Sequence, residues 1–91
     1  MIIVKVIKQD GRLQGFDILR IKTSIYRASD DANEPLNTSD IENLARSVEH
    51  EIKDLQMDTI QSYLIQSIVL SEIEKSGFHN VGKYYNRGIV E

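Results

Sequence analysis
Apolar positions recur with two different periods along this chain of 91 residues. From Ile2 to Lys8 they alternate. Ile2, Val4 and Val6 fall on one face of an extended strand, Ile3 and Ile7 on the other. Both faces are apolar enough to predict a sheet covered on both sides. Asp10-Gly11 follows as a hairpin signal, because a tight two-residue turn needs positive φ and Gly adopts it without steric cost. Such a turn sets Gln9 opposite Arg12, Lys8 opposite Leu13 and Ile7 opposite Gln14. The second strand ends at Phe16-Asp17, where Asp17 can cap a helix by accepting from first-turn amides.

From Ile18 the period becomes helical. Ile18, Ile21 and Ile25 share a face, which predicts a first helix from about Ile18 to Ser29. Asp30, Asp31 and Asn33 are poor helix formers, and Pro35 closes that region. A second helix starts at the capping pair Ser39 and Glu42. Its apolar stripe is Ile41, Leu44, Ala45, Val48 and Ile52, with Glu42, Arg46, Glu49 and Lys53 outside. A third helix starts at Asp58, paired with Gln61. It is apolar around most of its circumference through Ile60, Tyr63, Leu64, Ile65, Ile68, Val69, Leu70 and Ile73, and so is expected to be the most buried. Gly77 stops it as a left-handed cap. Phe78 re-enters the core, and a last helix runs from about Asn80 to Arg87, with Tyr84 and Tyr85 as core residues with polar tips. These elements make an α+β fold and one domain over residues 1–91.

Composition narrows the function. The chain has no Cys, which excludes disulfides, a thiolate zinc site and thiol radical chemistry within these residues. Its formal net charge is −3, which weighs against a basic face for nucleic acid but leaves room for one small anion in a local pocket. His50 and His79 are isolated and give no metal-ligand spacing. No nucleophile triad, phosphate loop or paired acid and base is present, so the chain reads as a binding module and not an enzyme. No apolar run is long enough for a bilayer, and no leader pattern is evident, so a cytoplasmic setting is expected.

Two cations stand out. Arg20 sits in the first turn of a helix, where a positive charge opposes the dipole. That placement points to an anionic ligand or to a salt bridge with a nearby acid. Lys8 ends the first strand, where a solvated lysine is the ordinary reading. The hairpin–helix junction can bring the two together.

The run V-I-K-Q-D-G, followed by F-D and R-I, resembles the start of the ATP-cone, the regulatory nucleotide-binding module at the N-terminus of many ribonucleotide reductases. Val6, Lys8, Asp10, Gly11, Phe16, Asp17, Arg20 and Ile21 fit the family pattern at its spacing. Gln9 stands where a basic residue is usual, and Arg20 where Lys is commoner. Ile60-Gln61 matches the start of the family's third helix, and F-H-N-V-G-K-Y-Y-N-R resembles its closing segment. The resemblance covers nearly the whole chain.

What it implies is a hairpin, with or without a short third strand, lying as a lid over a four-helix bundle. ATP or dATP would bind between them. Val6 and Ile21 would touch the purine. Lys8, Arg20 and the amides beside Asp17 would meet the phosphates, where a helix N-terminus suits anions. Asp17 or Gln14 would bond the ribose or base edge. Gln9, Met57 and Gln61 complete the nucleotide-binding set, and Lys83 and Arg87 are further candidates. Gln61 has the capping pair as its other role, and Met57 a hydrophobic staple. Mg²⁺ would come with the nucleotide, held by its phosphates. The implied function is allosteric: in the family ATP and dATP compete for the cone and shift the oligomeric state of the attached enzyme. The implied partner is a ribonucleotide reductase catalytic part or another cone. The zinc ribbon that precedes the cone in nucleotide-sensing reductase repressors is not among these residues. Excised domain and free-standing protein both remain open.

The alternative is a small helical protein-interaction or transcription-regulator module without nucleotide sensing. Thr38 to Leu70 holds two helices and a connection, like a helix-turn-helix. The apolar start and middle of the second of those helices weigh against its lying in a groove. A third reading is a structural dimerisation module.

Overall fold
The computed structural model describes the backbone of residues 4–90 and the side chains of residues 4–88. The order is β1 (Lys5–Ile7), β2 (Leu13–Gly15), α1 (Ile18–Asp31), α2 (Thr38–Asp54), β3 (Thr59–Gln61), α3 (Ser62–Lys75) and α4 (His79–Val90). This is the expected α+β arrangement, a small sheet on a four-helix bundle. The sheet has three strands in the order β2-β1-β3, with β1 antiparallel to β2 and parallel to β3.

The hairpin register differs by one from the expected register. Ile7 pairs with Leu13, not Gln14, and the Lys8 amide donates to the Arg12 carbonyl at 2.9 Å. The loop is therefore Gln9, Asp10 and Gly11, three residues and not two. Gly11 alone takes positive φ, at 88°, as in a three-residue hairpin closed by a glycine bulge. The Asp10 carboxylate secures the turn by accepting from the Arg12 amide at 3.1 Å and from Nε at 2.6 Å.

The inner face of the sheet carries Val4, Val6 and Ile60, all buried. Val6 and Ile60 are direct partners across β1 and β3. The outer face is open, contrary to the expectation of a doubly covered sheet. Among the described residues Lys5, Leu13, Thr59 and Gln61 are exposed there and Ile7 is half-buried, whereas Val4, Val6 and Ile60 on the other face join the core cluster with the helices. Ile2 and Ile3 lie outside the described residues.

Below the sheet the helices form a ring in which each packs on two neighbours, in the order α1-α2-α3-α4. The stripes read from the sequence face the core: Ile21 and Ile25 are buried on α1 with Ile18 half-buried, and Ile41, Leu44, Ala45, Val48 and Ile52 are buried on α2. The cap of α2 lies two residues earlier than expected. Asn37 accepts from the Asp40 amide at 2.8 Å and Asp40 accepts from the Asn37 amide at 3.3 Å, so Asn37 and Asp40, not Ser39 and Glu42, make the capping box.

α3 starts at Ser62, not Asp58. Thr59–Gln61 pairs with β1, and the proposed Asp58–Gln61 cap is absent. The strand also separates α2 from α3, so this pair is not a helix joined to a helix by a short turn. Nor is α3 the most buried helix. Ile65, Val69 and Ile73 face the core, while Leu64, Ile68 and Leu70 are half-buried and Tyr63 is 64% exposed. Gly77, at φ 86°, ends α3 as expected, with the Phe78 amide returning to the Ile73 carbonyl and the Gly77 amide to that of Glu74.

Candidate functional site
A hollow of about 150 Å³ lies between the hairpin, the N-terminal parts of α1 and α3, and the middle of α4. The chain builds it in three layers. Lys8 from the end of β1 and Arg20 from the first turn of α1 bring positive charge. Val6, Phe16, Ile21 and Ile65 supply apolar wall. Ser24, Ser62, Gln66 and Tyr85 supply neutral hydrogen-bonding groups, with Gln14, Gly15 and Asp17 along the hairpin side.

The local fold explains this convergence. Phe16 and Asp17 leave β2 and enter α1 with no intervening loop. The Asp17 carboxylate accepts from the Leu19 amide at 3.0 Å and fixes the start of the helix, so Arg20 projects beside the hairpin. The Arg20 guanidinium donates to Gln14 Oε1 at 3.1 Å. Of the two partners open to Arg20, ligand or salt bridge, no described carboxylate supplies the second. Among the described residues the ion pairs join Arg12–Asp10, Lys22–Glu42, His50–Asp54, Lys75–Glu72 and His79–Glu74. Lys8 and Arg20 therefore face the hollow with their charges unneutralised by any of these pairs, in a chain that is acidic overall.

Two helix N-termini reach this region, and they differ. At α1, Asp17 already occupies the Leu19 amide with its side chain and the Arg20 amide with its carbonyl, at 3.2 Å. The amides beside Asp17 are thus largely committed within the chain. At α3, Gln61 makes no side-chain cap hydrogen bond, the first turn holds no acid, and Ser62 lines the hollow. The partial positive charge of that end is left for another acceptor.

Of the residues singled out from the sequence, Val6, Lys8, Gln14, Asp17, Arg20 and Ile21 all line this one hollow. Gln9 is at the exposed hairpin tip. Met57, 46% exposed, and Gln61 precede α3 and do not line it. Lys83 is exposed, and Arg87 stacks its guanidinium over the Tyr84 ring at 4.8 Å. The lining residues that the sequence did not single out as site residues are Gly15, Phe16, Ser24, Ser62, Ile65, Gln66 and Tyr85, with Phe16 entering only as part of the motif. One signal was available: Arg20 and Ser24, and Ser62 and Gln66, are spaced four apart and share helix faces.

A family model, the ATP cone domain, matches residues 4–87. The chain belongs to the ATP-cone family. The six residues of the sequence motif that line the hollow fall inside that match. The transcriptional repressor NrdR of Thermomicrobium roseum is 30% identical over 70 residues, which cover 77% of this chain and 42% of the repressor. The chain therefore spans under half the length of that curated relative. Membership makes this cone a nucleotide-sensing regulatory module of a family that binds adenine nucleotides. Among the described residues no group of three His, Asp or Glu side chains gathers as a metal site, and no helix is long and apolar enough to cross a membrane.

Proposed function
We propose that the cone binds ATP or dATP in the hairpin–bundle hollow and passes that state to ribonucleotide reductase, controlling its activity or assembly. The observation that carries the reading is the pair Lys8 and Arg20, two cations with no carboxylate partner among the described residues, lining an apolar-walled hollow. A polyphosphate satisfies both charges, and Val6, Phe16 and Ile21 suit the face of a base. Mg²⁺ enters on the phosphates, with no protein carboxylates required. The module acts by binding, not by catalysis, in the cytoplasm. Its partner is a reductase catalytic part or a second cone. A switch of this kind requires ATP and dATP to differ in affinity between two assemblies.

A second reading is favoured by the relative named as a transcriptional repressor. There the cone is part of a transcription regulator, and the response is read on nucleic acid by other residues, since this chain carries net charge −3.

Thermal unfolding in buffer, ATP, dATP and GTP tests the binding claim. A ligand at a hundred times its Kd stabilises the folded state by about 2.7 kcal/mol, so ATP and dATP should raise Tm and GTP should not. Unchanged Tm at millimolar ATP would remove the nucleotide reading and leave an interaction module. Light scattering with ATP against dATP then tests the regulatory claim, through a change in mass that depends on which is bound.

A further inference from the structure
Tyr85 is only 9% exposed, yet it lines the hollow described above and also a second one of about 300 Å³. Ser24 and Gln66 line both as well, so these three residues lie where the two hollows adjoin. Among the described residues the Tyr85 hydroxyl takes part in no hydrogen bond, and no side-chain nitrogen or oxygen is both sealed from solvent and unpartnered. The polar tip of this otherwise buried residue therefore stays accessible beside the cavities that the residue lines. Burial pushes its pKa up to about 12, so at neutral pH it is an intact O–H that can donate and accept. The half-buried Gln66 amide is likewise unpaired with any described residue.

The position of these three residues is informative. Ser24 follows Arg20 by four residues, about 6 Å along α1. Charge lies at the hairpin end, and Ser24, whose hydroxyl donates to the Arg20 carbonyl at 2.9 Å, lies one helical turn further along α1, where Gln66 and Tyr85 also line the hollow. A nucleotide has the same polarity, with charge at one end and uncharged polar groups on the sugar and base.

We propose that the Tyr85 hydroxyl, with the Gln66 amide beside it, hydrogen-bonds an uncharged polar group of the nucleoside held in the first hollow. This rests on the nucleotide reading and extends it to the end of the ligand away from the phosphates. The hydroxyl is a specificity contact, and the phosphates are left to the cations.

Titration calorimetry of the full chain with ATP, dATP and adenosine tests it, using Tyr85→Phe, which keeps the ring and removes only the hydroxyl. Losing one neutral hydrogen bond should weaken ATP and adenosine alike, by roughly three- to tenfold. A loss for ATP that spares dATP identifies the 2′-hydroxyl as the group. An equal loss for both identifies the base edge or the 3′-hydroxyl. Either supports the proposal. Gln66→Ala, at a half-buried site, should show the same pattern and carries the test should Tyr85→Phe fold poorly. Unchanged ATP affinity in these variants overturns the proposal and leaves the nucleotide reading standing. So does a loss for ATP with none for adenosine, since that places the hydroxyl on phosphate. No ATP binding by the wild-type chain overturns both.

Discussion
Arg20 is held by Gln14, not by an acid: its guanidinium donates to the amide oxygen at 3.1 Å across the junction of β2 and α1. A neutral partner orients the cation without cancelling its charge. Gln14→Glu should place a carboxylate at the same spot and neutralise Arg20 in a direct ion pair. ATP affinity should then fall by roughly ten- to a hundredfold, the value of one charge-assisted contact. Calorimetry at equal salt checks this, and a tighter complex would mean that Arg20 does not meet phosphate.

Lys8 is expected to act on phosphate alone. Lys8→Ala should weaken ATP by roughly ten- to a hundredfold while changing adenosine little, since a charged contact contributes about 1.5–3 kcal/mol. Equal losses for both ligands would make Lys8 a structural residue of the strand end.

Ile60 ties the lid to the bundle. It is 1% exposed, pairs with Val6 in the sheet, and leads directly into α3. Ile60→Ala should cost about 2–5 kcal/mol in urea unfolding, the range for emptying a buried isoleucine site. A loss well under 1 kcal/mol, the scale of an exposed substitution, would show that β3 is not packed as described.

Tyr85 makes stability depend on alkaline pH. Its hydroxyl is raised from 10.0 to about 12 by burial, so the folded chain keeps this proton where the unfolded chain releases it. The associated stability is complete below the unfolded value and is lost as pH rises through 10 towards 12. A shift of that size is worth on the order of 2–3 kcal/mol. Tyr85→Phe should therefore lose less stability than wild type between neutral pH and about pH 11 in urea unfolding. Parallel losses in the two proteins would contradict the assignment.

The local chemistry of this chain was legible, and the long-range pairing was not. The stripes on α1 and α2, the Asp17 cap and the Gly77 stop each depend on residues within a turn or two, and each is where the pattern placed it. Asp10-Gly11 announced a turn but not its length. One glycine at positive φ serves a three-residue loop as well as a two-residue one, and the register moved with it. Asn37-Thr38-Ser39-Asp40-Ile41-Glu42 contains two overlapping capping boxes of the same chemistry, and the chain uses the earlier one. Thr59–Gln61 is a strand only because β1, more than fifty residues away, lies beside it. The site divides in the same way. Val6, Lys8, Gln14, Asp17, Arg20 and Ile21 lie in one short stretch of sequence, five of them in the motif and Gln14 in its spacer, and line one hollow. Ser62, Ile65, Gln66 and Tyr85 reach the hollow through the packing of α3 and α4 under the hairpin; spacing puts Ser62 and Gln66 on one helix face but does not record which element that face meets.

The central claim is that an adenine nucleotide binds in this particular hollow. Amide NMR shifts during titration with Mg-ATP test occupancy and location together. Shifts should concentrate at Val6 and Lys8, from Gln14 through Ser24, at the start of α3 around Ser62–Gln66, and at Tyr85. Glu51, Ser71 and Lys75, on the opposite side of α3 and on α2, should stay still. Saturable shifts centred on those distant residues, or none at millimolar ATP, would contradict it.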